Sequence, residues 1–161
     1  MRKLVVILAG FAVLATVSYA IYQKEELLSN GRVLLLELAP VDPRSLMQGD
    51  YMALRFKLQR DILFTESLRD GFAVVAVDEN RVGRFRRLDD GSAMMAGEEK
   101  IFFRVRGSEV KLGTNAFFFQ EGDAAVYASA RYGEARVDGD GQFLLTGLRD
   151  ANLKKLGNPN N

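Results

Sequence analysis

The stretch 39–56, APVDPRSLMQGDYMALRF, gathers the residue types from which an active site could be built. It supplies two carboxylates, a hydroxyl and a tyrosine between two apolar runs. The chain has no histidine and no cysteine, which excludes thiol chemistry, disulfides, imidazole bases and metal sites built from these two side chains. Acid–base chemistry would therefore depend on carboxylate, lysine, tyrosine or serine side chains.

A serine–lysine hydrolase is the sharpest catalytic hypothesis for this stretch. Membrane-anchored enzymes of that type place their serine shortly before a Gly-Asp turn, and at that spacing from Gly49 the chain has Val41. Ser45 lies too close to Gly49 to replace it, and Lys57 would act as a base only if it were desolvated. Because nucleophile, base and orienting group must occur together, we assign no catalytic residue.

Backbone geometry explains the same residues as a capped helical turn. Asp42 can cap the N-terminus of the turn, with Pro43 in its first position and Gly49 ending it in a left-handed conformation. Asp50 then starts a strand. The remaining side chains are available for a contact, and they are Arg44, Tyr51 and Arg55.

An apolar N-terminal segment precedes the stretch 39–56 and would set its position relative to a membrane. Residues 4–22 carry no charge, and at about 1.5 Å per residue they span roughly 28 Å, the thickness of a bilayer core. We interpret them as a retained signal anchor; a signal peptide cleaved after Ala20 is the alternative. Arg2 and Lys3 precede the segment, which predicts that the rest of the chain lies outside the cytoplasm, on the periplasmic side of the inner membrane.

The spacing of apolar residues predicts a mostly β fold, a β-rich α+β single domain with one or two short helices. We expect a transmembrane helix and its extension over 1–30, the domain over 31–156 and a disordered tail over 157–161. The predicted strands are 31–38, 51–58, 72–77, 82–88, 100–106, 109–112, 134–137 and 142–145, and residues 78–81 are predicted to join 72–77 to 82–88 as a hairpin. The predicted helices are 61–69 and 121–132, and a strand is the alternative for the second.

Other clusters have simpler explanations than a binding site. Asp138 to Gly141 resembles a calcium loop only faintly and fits a hairpin turn, and the arginines at 81, 84, 86 and 87 fit a solvated strand face. Residues 117–119 are phenylalanines, of which one or two should reach the core; core is also the default for Phe118, whose exposure would instead suggest a contact. We expect no metal and no cofactor. After residues 2 and 3, 20 basic residues balance 21 acidic ones, so the body has no overall charge attraction to nucleic acid or anionic lipid, and we expect neither as a partner.

Three ordered patches resemble the GDYXXLXY family. The first runs from Leu38 to Phe56 and contains GDYMALRF, with Phe56 where the family name has tyrosine. The second is FFQEG at 118–122 followed by Ala130-Arg131, and the third is 141–148. The resemblance implies a bacterial membrane-anchored protein without an established biochemical role, and it supplies no catalytic residues. The matching signature residues are Pro43, Arg44, Gly49, Asp50, Tyr51, Leu54, Glu121 and Arg131.

Three functions follow as hypotheses. The first is a binding or assembly module that acts with an integral membrane protein, since Ala12, Thr16 and Ala20 form a small-residue stripe that another helix could approach. The second is a histidine-free enzyme, which would require Asp50 and Glu121 in one cleft. The third is a small anionic or glycan ligand held by Arg44, Arg55 and Arg131 with Tyr51.

Overall fold

The N-terminal segment forms one long apolar helix. The computed structural model describes residues 2–39, 47–48 and 51–157. Helix α1 (Arg2–Asn30) is continuous, as predicted, and is long and apolar enough from Lys3 to Asn30 to cross a membrane. Its large apolar side chains over residues 4–22 are exposed, including Phe11 at 72%. This length and apolarity suit a membrane anchor and also a signal sequence.

The rest of the described chain forms a β-rich domain. Its elements, in chain order, are β1 (Arg32–Glu37), β2 (Met47–Gln48), β3 (Tyr51–Ala53), α2 (Lys57–Asp61), β4 (Gly71–Val77), β5 (Val82–Leu88), β6 (Glu98–Arg106), β7 (Glu109–Leu112), β8 (Ala116–Phe118), α3 (Ala124–Tyr127), β9 (Tyr132–Val137) and β10 (Phe143–Arg149). A seven-stranded sheet has the order β10-β9-β1-β5-β4-β6-β7, and a small sheet has the order β2-β3-β8. The β1–β5 pair is parallel, whereas the other pairs are antiparallel. The predicted fold class is confirmed.

The core lies between one face of the large sheet and the segment from Met52 to Ile62. Alternate residues of this segment, Met52, Leu54, Phe56 and Leu58, are all buried, as the alternation predicts. The prediction of a strand through residue 58 is nevertheless wrong, because β3 ends at Ala53 and α2 begins at Lys57. Gln59 explains the change: its Oε1 accepts from the Phe56 N–H at 2.8 Å, and its Nε2 donates to the Val110 carbonyl.

The two predicted helices are wrong in position or length. Residues 62–69 follow α2 without helical structure, and Leu63 is 81% exposed. The helix predicted over 121–132 is reduced to α3, and the strand alternative begins only at Tyr132. Arg131 cannot be helical, because its N–H donates to the Arg149 carbonyl and its own carbonyl accepts from the Leu38 N–H.

Aspartate-centred turns join the hairpins. In each turn one carboxylate oxygen accepts from the N–H groups two and four residues later, at 2.8–3.0 Å; these acceptors are Asp78, Asp138 and Asp150. The predicted hairpins at 78–81 and 138–141 are therefore confirmed. The residues described here contain no group of acidic side chains that could hold a metal.

Gly31 is the single residue between α1 and β1. Its N–H donates to the Leu27 carbonyl at 3.0 Å, and its carbonyl accepts from Arg136 Nη1 at 2.8 Å. A Cβ at Gly31 would lie 2.3 Å from the Leu27 carbonyl oxygen, so only glycine fits. Leu27 itself is buried in the domain. The helix is thus joined to the sheet by a packed junction.

Candidate functional site

Half of the candidate residues can be located in the structure. The candidates outside the described residues are Asp42, Pro43, Arg44, Gly49 and Asp50, so the capped turn remains a prediction. The described candidates are Tyr51, Leu54, Arg55, Glu121 and Arg131. Of the predicted disordered tail, only Gly157 is described.

The small sheet presents an aromatic pair at the surface. Tyr51 pairs with Phe118 in the β3–β8 register, and their rings lie 5.8 Å apart between centroids at an interplanar angle of 41°. Phe118 is 74% exposed, and Tyr51 is half-buried. Phe117 and Phe119 point the other way and contact Tyr127 at centroid distances of 5.1 and 5.2 Å. Core, the default expectation for Phe118, is therefore wrong. We call Tyr51 and Phe118 the aromatic pair.

Two signature positions are structural. Leu54 is 3% exposed and Phe56 is fully buried, with its ring edge-to-face against Phe143 at 5.6 Å. The Leu54 N–H also donates to the Asn115 carbonyl. The apolar residues of the signature therefore hold the segment in the core. Leu54 is not available for a contact.

Arg55 and Arg131 converge through their backbones on the end of β1. The Leu38 N–H donates to the Arg131 carbonyl at 2.8 Å, and the next N–H, that of Ala39, donates to the Arg55 carbonyl at 2.7 Å. Both arginine side chains are exposed. The structure thus brings the first and second signature patches to adjacent residues of one segment.

Arg55 borders a groove of about 670 Å³ that Arg131 does not line. Charged side chains on this groove include Arg60, Glu109 and Lys111, and its apolar wall includes Phe64. The Lys111 ammonium donates to the Glu109 carboxylate, and together with the charge of Arg55 it holds the pKa of Glu109 below the usual value. Glu109 is therefore held in its ionised form and paired with Lys111, so the groove provides a mixed polar and apolar surface.

Glu121 does not support an acid–base pair within the described residues. It lies in the exposed turn before α3, without a hydrogen bond or ion pair to another described side chain. Its predicted partner, Asp50, lies outside the described part of the chain. The enzyme hypothesis therefore stays a prediction, and so does the convergence of Arg44 with Arg55 and Arg131.

Sequence reasoning missed two buried carboxylates that organise the arginines. Glu98 and Glu134 have side chains 1% and 8% exposed. Glu98 pairs with Arg86 and Arg87 at 3.2 Å, and Glu134 pairs with Arg149 at 2.6 Å. The strand that carries Arg86 and Arg87 is therefore only partly solvated, because both guanidinium groups form salt bridges with the buried Glu98 carboxylate. Nothing in the local spacing marks Glu98 or Glu134 as buried.

The described residues define a class of protein, a β-rich domain joined directly to an apolar N-terminal helix. The family model for the GDYXXLXY protein matches residues 13–148, which cover most of the helix–domain unit. The chain belongs to the GDYXXLXY family. No curated protein and no solved structure matches the chain significantly.

Proposed function

We propose that this chain is a membrane-anchored binding or assembly module that holds its domain outside the cytoplasm, on the periplasmic side, beside an integral membrane partner. The observation that carries the proposal is the aromatic pair. Phe118 keeps 74% of its surface exposed although Phe117 and Phe119 beside it are packed inward. Aromatic side chains of this kind are enriched where interfaces gain most of their energy.

The anchor supports the membrane side of the proposal. No residue in the most apolar 18-residue window of α1 is buried by the described domain, and a helix segment that is apolar all round needs a bilayer or another helix around it. Arg2 and Lys3 precede the uncharged residues 4–22, an arrangement typical of a helix whose N-terminus stays in the cytoplasm. The stripe formed by Ala12, Thr16 and Ala20 is available to a partner helix.

Partner recovery tests the contact. The tagged full-length chain would be cross-linked in native membranes, and the integral membrane protein recovered with it would be quantified. We expect a variant carrying both Tyr51→Ala and Phe118→Ala to lose at least about thirtyfold in recovery, since removing even one central aromatic contact costs about 2 kcal/mol or more. Arg55→Ala should give a smaller loss, because its side chain lies at a solvated edge.

Leu63→Ala is the matched control, because Leu63 is 81% exposed and lies outside the small sheet. It should leave recovery unchanged. Equal recovery with the double variant and with the control would refute the aromatic pair as the contact.

The lack of native cysteine allows a direct test of orientation. Leu63→Cys should react with a membrane-impermeant maleimide in intact spheroplasts, whereas Lys3→Cys should react only after the membrane is permeabilised. The reverse labelling pattern would refute the proposed orientation.

A further inference from the structure

A second groove, of about 590 Å³, lies between α1 and the sheet. Its charged lining is entirely basic and consists of Lys24, Arg104, Arg106 and Lys111. Apolar side chains complete the wall, among them Phe118 and Leu144. We call this the basic groove.

Two of the four cations are already paired. Arg106 Nη1 lies 3.3 Å from Asp70 Oδ1, and Lys111 donates to Glu109. Lys24 and Arg104 form no salt bridge with a described carboxylate, although the charge of Arg104 helps to lower the pKa of Asp70 and its guanidinium lies 5.8 Å from the centre of the Phe102 ring. The groove therefore holds two cations without a salt bridge of their own, next to apolar surface.

The position of Lys24 limits what can reach the groove. It follows Tyr22 by two residues, about 3 Å further along the helix axis. Tyrosines at the end of an apolar span lie at the level of the lipid headgroups. The packed junction at Gly31 fixes the helix against the domain, so in the anchored protein the basic groove opens at this level.

We propose that the basic groove binds the phosphate of an anionic phospholipid, with Lys24 and Arg104 as its ligands and the apolar wall against the glycerol and upper acyl chain. This inference rests on the proposed anchoring but not on the proposed protein partner. A membrane lipid suits the site better than a soluble anion because the unpaired cations and the apolar wall occur together at headgroup depth.

Lipid retention by the purified full-length chain tests this proposal. Native mass spectrometry from detergent would compare phosphatidylglycerol with phosphatidylcholine of the same acyl chains. We expect retention of phosphatidylglycerol in preference to phosphatidylcholine. A Lys24→Gln/Arg104→Gln double variant should weaken phosphatidylglycerol binding about thirtyfold, or about fivefold for each charge removed.

The matched control is Arg84→Gln/Lys154→Gln, which removes the same charge from two exposed residues outside the groove. It should retain phosphatidylglycerol as the unmodified chain does, and both double variants should unfold at the same temperature. Equal retention of the two lipids, or equal retention by the two double variants, would overturn the proposal. Displacement of the lipid by an equal concentration of inorganic phosphate would also overturn it, in favour of a soluble anion.

The lipid measurement uses no protein partner and no intact cell. If the cross-linking or maleimide experiment fails, the lipid result can still be interpreted. If lipid retention fails, the conclusions about the partner and the orientation are unaffected.

Discussion

The packing of Phe56, the final aromatic residue of the signature, can be tested by substituting Gly133, which its ring contacts. Phe56 is fully buried, and its ring lies over Gly133 of β9. A Cβ added at Gly133 would lie 2.7 Å from Phe56 Cε1, closer than real Cβ contacts come, and 3.1 Å from Leu145 Cδ1. Gly133→Ala therefore forces the ring to move within a packed core.

The size of the effect follows from two opposed contributions. Overpacking of this kind costs about 1–3 kcal/mol. Replacing glycine by alanine also restricts the unfolded chain, which returns about 0.4–1 kcal/mol where the backbone permits it. We expect Gly133→Ala to lower the free energy of unfolding by about 0.5–2 kcal/mol. Gly139→Ala is the matched control, since an added Cβ there meets no atom within 4 Å, and it should not destabilise the chain.

A double-mutant cycle isolates the ring. Phe56→Leu alone leaves a cavity, but in combination with Gly133→Ala it makes room for the new methyl group. The double variant should be about 0.5–3 kcal/mol more stable than the sum of the two single changes predicts. Urea unfolding of the full-length chain in detergent, followed by circular dichroism, measures each value. Additivity within about 0.5 kcal/mol, or a Gly133→Ala variant as stable as the control, would refute the proposed contact.

Further predictions concern carboxylates, and urea unfolding checks each of them. Glu134→Gln should cost about 1.5–3 kcal/mol, since it removes a charged hydrogen bond from a buried site, whereas Glu37→Gln in an exposed pair should cost less than about 1 kcal/mol. Asp138→Ala should cost about 1 kcal/mol, because two backbone N–H groups lose their acceptor. The Val105 N–H holds the pKa of Asp70 below its ordinary value of 3.8, so the charged carboxylate stabilises the fold above that pH. Asp70→Asn should therefore be less stable than the unmodified chain near pH 7, and the difference should vanish as the pH falls through the lowered pKa. A constant difference at all pH values would contradict this explanation.

Local patterns predicted those elements whose stability is also local. The hairpins were readable because apolar strands flank aspartate turns whose hydrogen bonds span only four residues, as at Asp78 and Asp138. Alternation from Met52 to Leu58 predicted burial correctly and secondary structure incorrectly. The difference arises from Gln59, which joins this segment to the distant Val110 carbonyl.

The candidate site was predictable only in part, because its contacts join residues that are far apart in the sequence. The signature identified Tyr51, but its ring partner Phe118 comes from a strand far along the chain. Lys24 and Arg104 come from α1 and β6 and meet only in the folded molecule. The periodicity of apolar residues describes the faces of one helix or strand at a time, so it does not predict grooves that form between elements.

The place of β1 in the sheet also sets an order of events during synthesis. This strand leaves the ribosome directly after the apolar helix, yet its antiparallel neighbour β9 pairs Arg32 with Val137, near the end of the chain. Strands β4 to β7, which lie between them in the chain, pair with one another and can assemble as they emerge. β1 must wait with one edge unsatisfied until β9 arrives. A ribosome that stalls before Tyr132 would therefore leave a chain with an open, aggregation-prone strand edge beside the apolar helix.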